Sequence, residues 1–292
     1  MAKSTYKFIR PDDIRRLANY EFGVKALVEG FLSGRHRSKE RGASIEFAEY
    51  RQYVPGDDPA LVDWRVFART DRHYLKTFEQ ETNMECHIFL DSSASMGFQD
   101  EGPITKLEYA SFFAACLSWL VVSKNDRVSL QLFDDKIRQF FEPGSTRRHL
   151  HNLLTALEHN EPGEKTSLAE ALHRAHPLIK RKGTLVVLSD FFDQPEAIFK
   201  ALNPYLHRGF RVHLFHVLDP AELTLPDCGL SRFIDMETDN RLVVHTESLR
   251  DAWKTEMQQH LQTLRRLAAG RQVDYSLALT NQSWFHLFDR LA

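Results

Sequence analysis

The residues best suited to chemistry follow a short apolar segment near position 90. The run 86–90 is followed by the carboxylate of Asp91 and by the hydroxyls of Ser93 and Ser95. Oxygen ligands without a thiol or an imidazole favour Mg²⁺, Mn²⁺ or Ca²⁺ over zinc. An aspartate followed by serines is also a common helix-capping turn, so this segment by itself supports both interpretations equally.

Two other segments supply matching oxygen atoms. Thr166 precedes a predicted helix that begins near Ser167, and Asp190 follows the apolar run 184–188. Ligands of open α/β sheets usually bind at the carboxyl ends of parallel strands, where such loops meet. The sequence therefore predicts one divalent metal site, with Mg²⁺ the first expectation and Mn²⁺ or Ca²⁺ as alternatives. Its five candidate ligands are Asp91, Ser93, Ser95, Thr166 and Asp190.

The elements that position these residues follow an alternating pattern. Apolar runs and helical segments succeed one another between residues 86 and 218, which predicts an α/β fold with a mostly parallel sheet and helices on both faces. Only residues 134–136 separate the second and third strands, too few for a crossover helix, so this pair is predicted to be an antiparallel edge hairpin. The predicted strands are 86–90, 127–133, 137–141, 184–188 and 211–217.

Two capping patterns predict where helices begin. The spacing Thr105-x-x-Glu108 predicts a capping box that opens a helix reaching about Ser123. This helix is apolar nearly all round, so we expect it to be central and buried. Ser167-x-x-Glu170 predicts a second capping box.

The pattern changes on both sides of this block. Residues 46–80 are rich in aromatic and β-branched residues and are interrupted by a turn at 55–59, which predicts a β-rich appendage. A long helix, a strand at 272–279 and a terminal helix follow the sheet. We therefore predict two domains: an N-terminal helical and β-rich appendage over 1–85, and an α/β domain with a helix-strand-helix extension over 86–292. The long helix carries an apolar stripe expected to pack in the core: Leu249, Trp253, Met257, Leu261 and Leu264.

Charge excludes several classes of partner. The 292 residues include 40 acidic and 38 basic side chains, for a formal net charge of −2. Such a chain has no long-range attraction for nucleic acid or for an anionic membrane. The apolar segment 109–122 is shorter than the ~20 residues that a membrane span requires. We therefore expect neither a nucleic-acid partner nor membrane insertion.

The cysteines and the start of the chain predict the compartment. Cys86, Cys116 and Cys228 are odd in number and far apart, which is typical of small buried thiols in a reducing environment. Residues 1–13 are polar and contain no apolar segment of the kind that an export signal needs. The expected location is the cytoplasm.

The oxygen-rich pattern resembles a known binding site. Asp91-x-Ser93-x-Ser95, with a later loop threonine and a strand-terminal aspartate, is similar to the metal-ion-dependent adhesion site of von Willebrand factor A domains. The resemblance implies that hydroxyls contact the metal directly, that some carboxylates act through water, and that one coordination position stays open. One departure is that Phe191 follows Asp190 where many members have glycine, so Asp193 could share or replace the role of Asp190.

A second resemblance covers nearly the whole chain. The segments 46–58, 63–69, 188–193 and 213–223 are similar to the bacterial family called domain of unknown function 58. Members of that family resemble von Willebrand factor A domains, and they are often encoded beside AAA+ ATPases of the MoxR type. The resemblance implies a von Willebrand factor A-like fold and a MoxR-type ATPase as a partner.

These observations favour a non-catalytic adaptor. In this hypothesis a divalent ion captures an acidic residue of a partner, and a MoxR-type ATPase supplies work to assemble or activate an unidentified client protein. The alternative is a Mg²⁺-dependent phosphohydrolase that uses Asp91 as its nucleophile. Ser93 stands where such enzymes need a second carboxylate, and no positioned lysine is evident in the sequence. A nucleotide-binding switch is disfavoured because neither GxxxxGK[ST] nor GxGxxG follows any predicted strand.

Overall fold

The computed structural model describes most of the chain. The described residues are 6–17, 45–53, 62–80, 85–163, 165, 167–226, 228–237 and 240–291. The chain forms two compact units, a small one of residues 32–83 and a large one of residues 1–31 and 84–292. The first helix thus belongs to the large unit and not to the appendage predicted for 1–85. The physical reason is packing. The ring centres of Phe8 and Phe112 lie 5.0 Å apart in an edge-on arrangement, and Leu17 is fully buried.

The elements are numbered here in chain order. The helices are α1 (Pro11–Leu17), α2 (Trp64–Thr70), α3 (Lys106–Ser123), α4 (Arg147–Glu158), α5 (Leu168–Ala175), α6 (Pro195–His207), α7 (Pro220–Thr224), α8 (Thr246–Ala269) and α9 (Phe288–Leu291), with short 3-10 turns at Ala94–Gly97 and Trp284–Leu287. The strands are β1 (Ile45–Gln52), β2 (Tyr74–Gln80), β3 (Glu85–Asp91), β4 (Arg127–Phe133), β5 (Ile137–Gly144), β6 (Thr184–Ser189), β7 (Arg211–Leu218), β8 (Leu230–Ile234), β9 (Arg241–His245) and β10 (Asp274–Leu279).

The small unit contains an antiparallel pair, β1 and β2. Helix α2 precedes β2 and is capped by Asp63, whose carboxylate accepts a hydrogen bond from the Arg65 backbone N–H at 2.9 Å. The helix ends at Asp71, in the left-handed conformation with φ 55°. The predicted turn at 55–59 lies outside the described residues.

The large unit contains a six-stranded sheet in the order β10-β7-β6-β3-β4-β5. Every pair in it is parallel except β4 with β5. This confirms the predicted α/β fold and its antiparallel edge strand. The strand after the long helix, β10, joins the same sheet at the opposite edge.

The sheet is covered on both faces. Alternate residues of β3 point to opposite sides, so Ile88 and Leu90 join one apolar cluster and Phe89 joins the other. Helices α1, α3, α4 and α9 contribute to the first cluster, and α5, α6 and the end of α8 contribute to the second. Since both of its faces are covered, β3 is buried along its whole length, and its carboxyl end is held in a fixed position.

The two capping predictions have different outcomes. Thr105 and Glu108 form the expected capping box at the start of α3. Ser167 precedes α5, but its side chain accepts no capping hydrogen bond, so the second box is not formed. The Ser167 backbone N–H instead donates to the Asp134 carbonyl at 3.1 Å and ties this loop to the β4–β5 turn.

Two other expectations concern buried side chains. Cys86 and Cys116 are buried as expected, but Cys228 is exposed because it lies just before the β8–β9 hairpin, which is open to solvent. In the apolar stripe of α8, Met257, Leu261 and Leu264 are buried as expected, but Leu249 is partly exposed and Trp253 is 38% exposed. None of the helices in the described ranges is long and apolar enough to cross a membrane.

Buried histidines give the sheet a pH-dependent stability. Burial, with a smaller contribution from the charge of Arg208, lowers the pKa of His87 to about 4. The Nδ1 atom of His87 lies 2.8 Å from the Ser129 hydroxyl, and the side chain is completely buried. The unfolded chain therefore takes up a proton near pH 6.5 that the folded chain does not take up until about pH 4.

We predict that His87→Gln reduces the acid sensitivity of the fold. Lowering the pH from about 7.5 to about 5 should cost the wild-type protein about 2 kcal/mol through this one residue. Glutamine is uncharged at both pH values and is close to histidine in size. Urea unfolding of both proteins at the two pH values is the measurement. Parallel loss of stability in the two proteins would contradict the assignment.

Candidate functional site

The centre of the site is the carboxyl end of β3. Asp91 is the last residue of this strand and is fully buried. One carboxylate oxygen accepts a hydrogen bond from the Ser93 backbone N–H at 2.9 Å, and the other accepts one from the Ser189 hydroxyl at 2.6 Å. Ser189 ends β6, the neighbouring strand, so two adjacent strands fix this side chain.

The two predicted serine ligands lie next to each other. Ser93 precedes the 3-10 turn Ala94–Gly97, and its hydroxyl oxygen lies 3.1 Å from that of Ser95. Ser93 is buried and Ser95 is partly exposed. The tight turn brings both hydroxyls to the same edge of the sheet as Asp91.

Asp190 reaches the same edge from β6. It follows Ser189 and is fully buried. Its Oδ2 atom accepts a hydrogen bond from the Lys106 ammonium at 2.8 Å, whereas its Oδ1 atom is buried and accepts no hydrogen bond. One oxygen of this carboxylate is therefore available to a further partner.

Lys106 was not among the residues predicted from the sequence. It is the first residue of α3, and its side chain is completely buried. Its ammonium also donates to Glu222 at 2.6 Å, and it lies 5.2 Å from the centre of the Phe192 ring. A lysine in the first turn of a helix is opposed by the helix dipole, and this is the signal that could have identified it.

The charges at the site shift one another. Burial, with a smaller contribution from the nearby charge of Asp190, raises the pKa of Asp91 to about 7. Burial would also raise the pKa of Asp190, but the charge and hydrogen bond of Lys106, together with the nearby Ser95 hydroxyl, outweigh burial and lower the pKa. Burial alone would lower the pKa of Lys106. The neighbouring carboxylates, Asp190 and Glu222, raise it above its usual value. The Lys106 ammonium thus helps to keep Asp190 ionised. The neighbouring carboxyl group of Asp91 is costly to ionise because it is buried.

The donor types at this edge fit a hard divalent ion. The two serine hydroxyls and the buried Oδ1 of Asp190 are oxygen donors of the kind that Mg²⁺ accepts. Over the described ranges, no group of three or more His, Cys, Asp or Glu side chains is arranged to hold a metal. The ligand set predicted here has only two carboxylates, Asp91 and Asp190, and depends on hydroxyls for the rest. Bound there, the ion would supply a compact positive charge.

Two questions raised by the sequence concern the neighbouring loops. Asp193 is partly exposed, and its carboxylate accepts a hydrogen bond from the adjacent Gln194 backbone N–H at 2.8 Å. The structure therefore places Asp190, and not Asp193, against Lys106.

Thr166 lies outside the described residues. In the same loop, the Gly163 N–H donates to the Ser92 carbonyl at 2.6 Å.

Phe191 follows Asp190 at the position where the resemblance to the adhesion site predicts glycine. Its φ is +48°, a left-handed conformation that glycine adopts without strain and phenylalanine rarely adopts. The ring is fully buried and contacts His216 edge-on at 5.4 Å. Burial of this ring offsets the backbone strain, so the loop keeps a glycine-like conformation without glycine.

Most of the chain matches a known protein family. A family model described as "Protein of unknown function DUF58" matches residues 49–263. The chain belongs to this family. Similar curated proteins are also uncharacterized: Rv1480 of Mycobacterium tuberculosis and Mb1516 of Mycobacterium bovis are each 28% identical over 216 residues, which cover 73% of this chain and 67% of theirs.

Among the solved structures similar to this member of the DUF58 family, one with a TM-score of 0.50 shares its fold. The conserved hypothetical protein BatB from Bacteroides thetaiotaomicron is 18% identical with a TM-score of 0.50, over 71% of this chain and 97% of that one. An aerotolerance-related membrane protein from Bacteroides fragilis is 19% identical with a TM-score of 0.48, over 71% and 98%. A von Willebrand factor type A protein from Catenulispora acidiphila is 12% identical with a TM-score of 0.34, over 49% and 35%.

We predict that Lys106→Met makes the fold responsive to divalent ions. Removing the ammonium leaves Asp190 and Glu222 buried without a cation, which typically costs about 3–5 kcal/mol. If the adjacent oxygens bind Mg²⁺, adding Mg²⁺ should restore part of this loss. Urea unfolding in Mg²⁺ and in EDTA measures both effects.

The matched control is Lys200→Met, which removes an exposed lysine from α6. It should change the free energy of unfolding by less than about 0.5 kcal/mol in either solution. If Lys106→Met loses the same stability in Mg²⁺ as in EDTA, the oxygens at this edge do not bind the ion.

Proposed function

We propose that this protein is a non-catalytic adaptor that uses a divalent ion to capture an acidic residue of a partner protein. The observation that carries the proposal is the convergence of Asp91, Ser93, Ser95 and Asp190 at the carboxyl end of β3 and β6. The adjacent hydroxyls and the unpartnered Oδ1 of Asp190 support it. Asp91, Ser93, Ser95, Thr166 and Asp190 are the proposed ligand set, and Mg²⁺ is the proposed ion, with Mn²⁺ or Ca²⁺ as alternatives.

The chemistry follows from how the charge is distributed. Neutral hydroxyls reduce the positive charge of a bound ion less than carboxylates do, so the ion keeps an affinity for a carboxylate from outside. Asp91 is fully buried and is held by Ser93 and Ser189, so it orients the loop and is not itself presented to a partner. Lys106 offsets part of the negative charge of Asp190 and so limits how tightly an ion is held.

The proposed partners are a MoxR-type AAA+ ATPase and a client protein that it assembles or activates. Membership of the DUF58 family supports this part of the proposal, because members of that family are often encoded beside such ATPases. A cytoplasmic location belongs to the same proposal and is supported by three free cysteines, Cys86, Cys116 and Cys228.

The test uses retention of the MoxR-type ATPase of the same organism on the immobilised protein. We predict that Asp91→Ala and Ser93→Ala abolish Mg²⁺-dependent retention and leave the circular dichroism spectrum unchanged. Asp251→Ala, which removes an exposed carboxylate from α8, is the matched control and should bind normally. Equal binding in Mg²⁺ and in EDTA would refute the metal-dependent mechanism.

One observation favours the second candidate, a Mg²⁺-dependent phosphohydrolase. The sequence showed no positioned lysine, but the structure provides a buried one in Lys106. The surroundings of Asp91 argue against nucleophilic attack, because its side chain is fully buried and both oxygens accept hydrogen bonds. The adaptor is therefore preferred.

We predict no turnover of a generic phosphate monoester such as p-nitrophenyl phosphate in Mg²⁺. The assay compares the wild-type protein with Asp91→Asn, which keeps the size of the side chain and removes its charge. Hydrolysis by the wild type that disappears in Asp91→Asn would reverse the order of the two candidates.

A further inference from the structure

The β8–β9 hairpin has one side that is entirely open to solvent. The register pairs Leu230 with His245, Arg232 with Val243, and Ile234 with Arg241. Paired residues of an antiparallel ladder, and alternate residues of each strand, lie on the same face. All six of these side chains are exposed, and we call this side the open face: Leu230, Arg232, Ile234, Arg241, Val243 and His245.

Half of the open face is apolar. Leu230 is 63% exposed, Val243 58% and Ile234 45%. The water-facing side of an antiparallel sheet is normally polar, and contiguous exposed apolar side chains typically mark an interaction site. The hairpin is closed at its base, where the Thr246 N–H donates to the Gly229 carbonyl at 3.0 Å.

The other half of the open face is basic. Arg232 and Arg241 form no ion pair with any described residue, and His245 lies beside them on the same face. None of the six side chains is a carboxylate. The acidic residues of the described hairpin, Asp235 and Glu237, lie in the turn beyond the paired residues. The open face therefore combines apolar side chains with unneutralised cations.

The hairpin turn lies beside the candidate metal loop. A Cβ atom placed on Gly97 would lie 3.7 Å from the Cε atom of Met236, and Gly97 ends the 3-10 turn that begins after Ser93. Met236 is itself largely exposed. A partner seated on the hairpin would thus approach the same edge of the large unit as the β3 carboxyl end.

We propose that the open face binds an acidic segment of a partner protein, in which carboxylates alternate with apolar side chains. Arg232 and Arg241 would pair with the carboxylates while Leu230, Ile234 and Val243 cover the apolar side chains. An anionic membrane would meet Asp235 and Glu237 in the turn, so the charge pattern favours a polypeptide. The proposal goes beyond the metal-dependent capture of an acidic residue and does not depend on it.

The experiment measures fluorescence anisotropy of a short labelled peptide of alternating glutamate and leucine. The full chain should bind it at least about tenfold more tightly than a peptide of alternating lysine and leucine, and binding should weaken with salt. The double variant Arg232→Glu/Arg241→Glu should lose at least about tenfold in affinity. Arg147→Glu/Arg148→Glu, which reverses two exposed arginines on α4, is the matched control and should bind normally.

Further arms separate this proposal from the others. Leu230→Ser/Val243→Ser should also weaken binding, and it tests the open face without reversing any charge. Measured in EDTA, which removes any ion from the proposed metal site, binding of the acidic peptide should persist and should still be lost in Arg232→Glu/Arg241→Glu, so failure of the metal site would leave this result intact. Circular dichroism checks that each variant folds.

Three outcomes would overturn the proposal. The first is equal binding of the acidic and basic peptides, and the second is an equal loss of affinity in the Arg147/Arg148 control. The third is binding of vesicles of anionic phospholipid that is lost in the Arg232/Arg241 variant while the acidic peptide does not bind, since this would assign the face to a membrane.

Discussion

The candidate site depends on the buried contact between Lys106 and Asp190. Two carboxyl groups, Asp91 and Asp190, end adjacent strands, and both are fully buried. Neither could remain there at low cost if both were ionised without a cation. The Lys106 ammonium, 2.8 Å from Asp190 and 2.6 Å from Glu222, supplies that positive charge from the first turn of α3. The packing of α3 against β3 is thus also an electrostatic requirement of the sheet edge.

This requirement also shows why the sequence predicts the strands and helices better than it predicts the contacts at the site. Continuous apolar runs predicted β4 with its observed bounds, and Thr105 with Glu108 predicted the start of α3. These features are local, because they depend on burial and on hydrogen bonds within a few residues. The contact between Lys106 and Asp190 joins residues 84 positions apart. No spacing within the sequence reports such a pair.

The β8–β9 hairpin was missed for a different reason. Its strands are only five residues long, and neither Leu230–Ile234 nor Arg241–His245 alternates apolar with polar side chains. A strand is recognised from its sequence by the contrast between a core face and a solvent face, and this contrast is weak when both faces are largely exposed. The predicted capping box at Ser167 does not form, and the Ser167 backbone N–H, which Glu170 would accept in such a box, donates instead to the Asp134 carbonyl, an interaction that also lies outside the local pattern.

The site and the open face would favour carboxylates through different physical interactions. A divalent ion concentrates charge at one point, where a single carboxylate completes its coordination and geometry decides binding. Arg232 and Arg241 spread charge along a strand, where attraction is screened by salt and geometry matters less. A partner that engaged both would bind more tightly than either contact allows alone, because the second contact would form at a high effective concentration. The near-zero net charge of the chain suits such a division, since attraction is confined to the places where cations are exposed or bound.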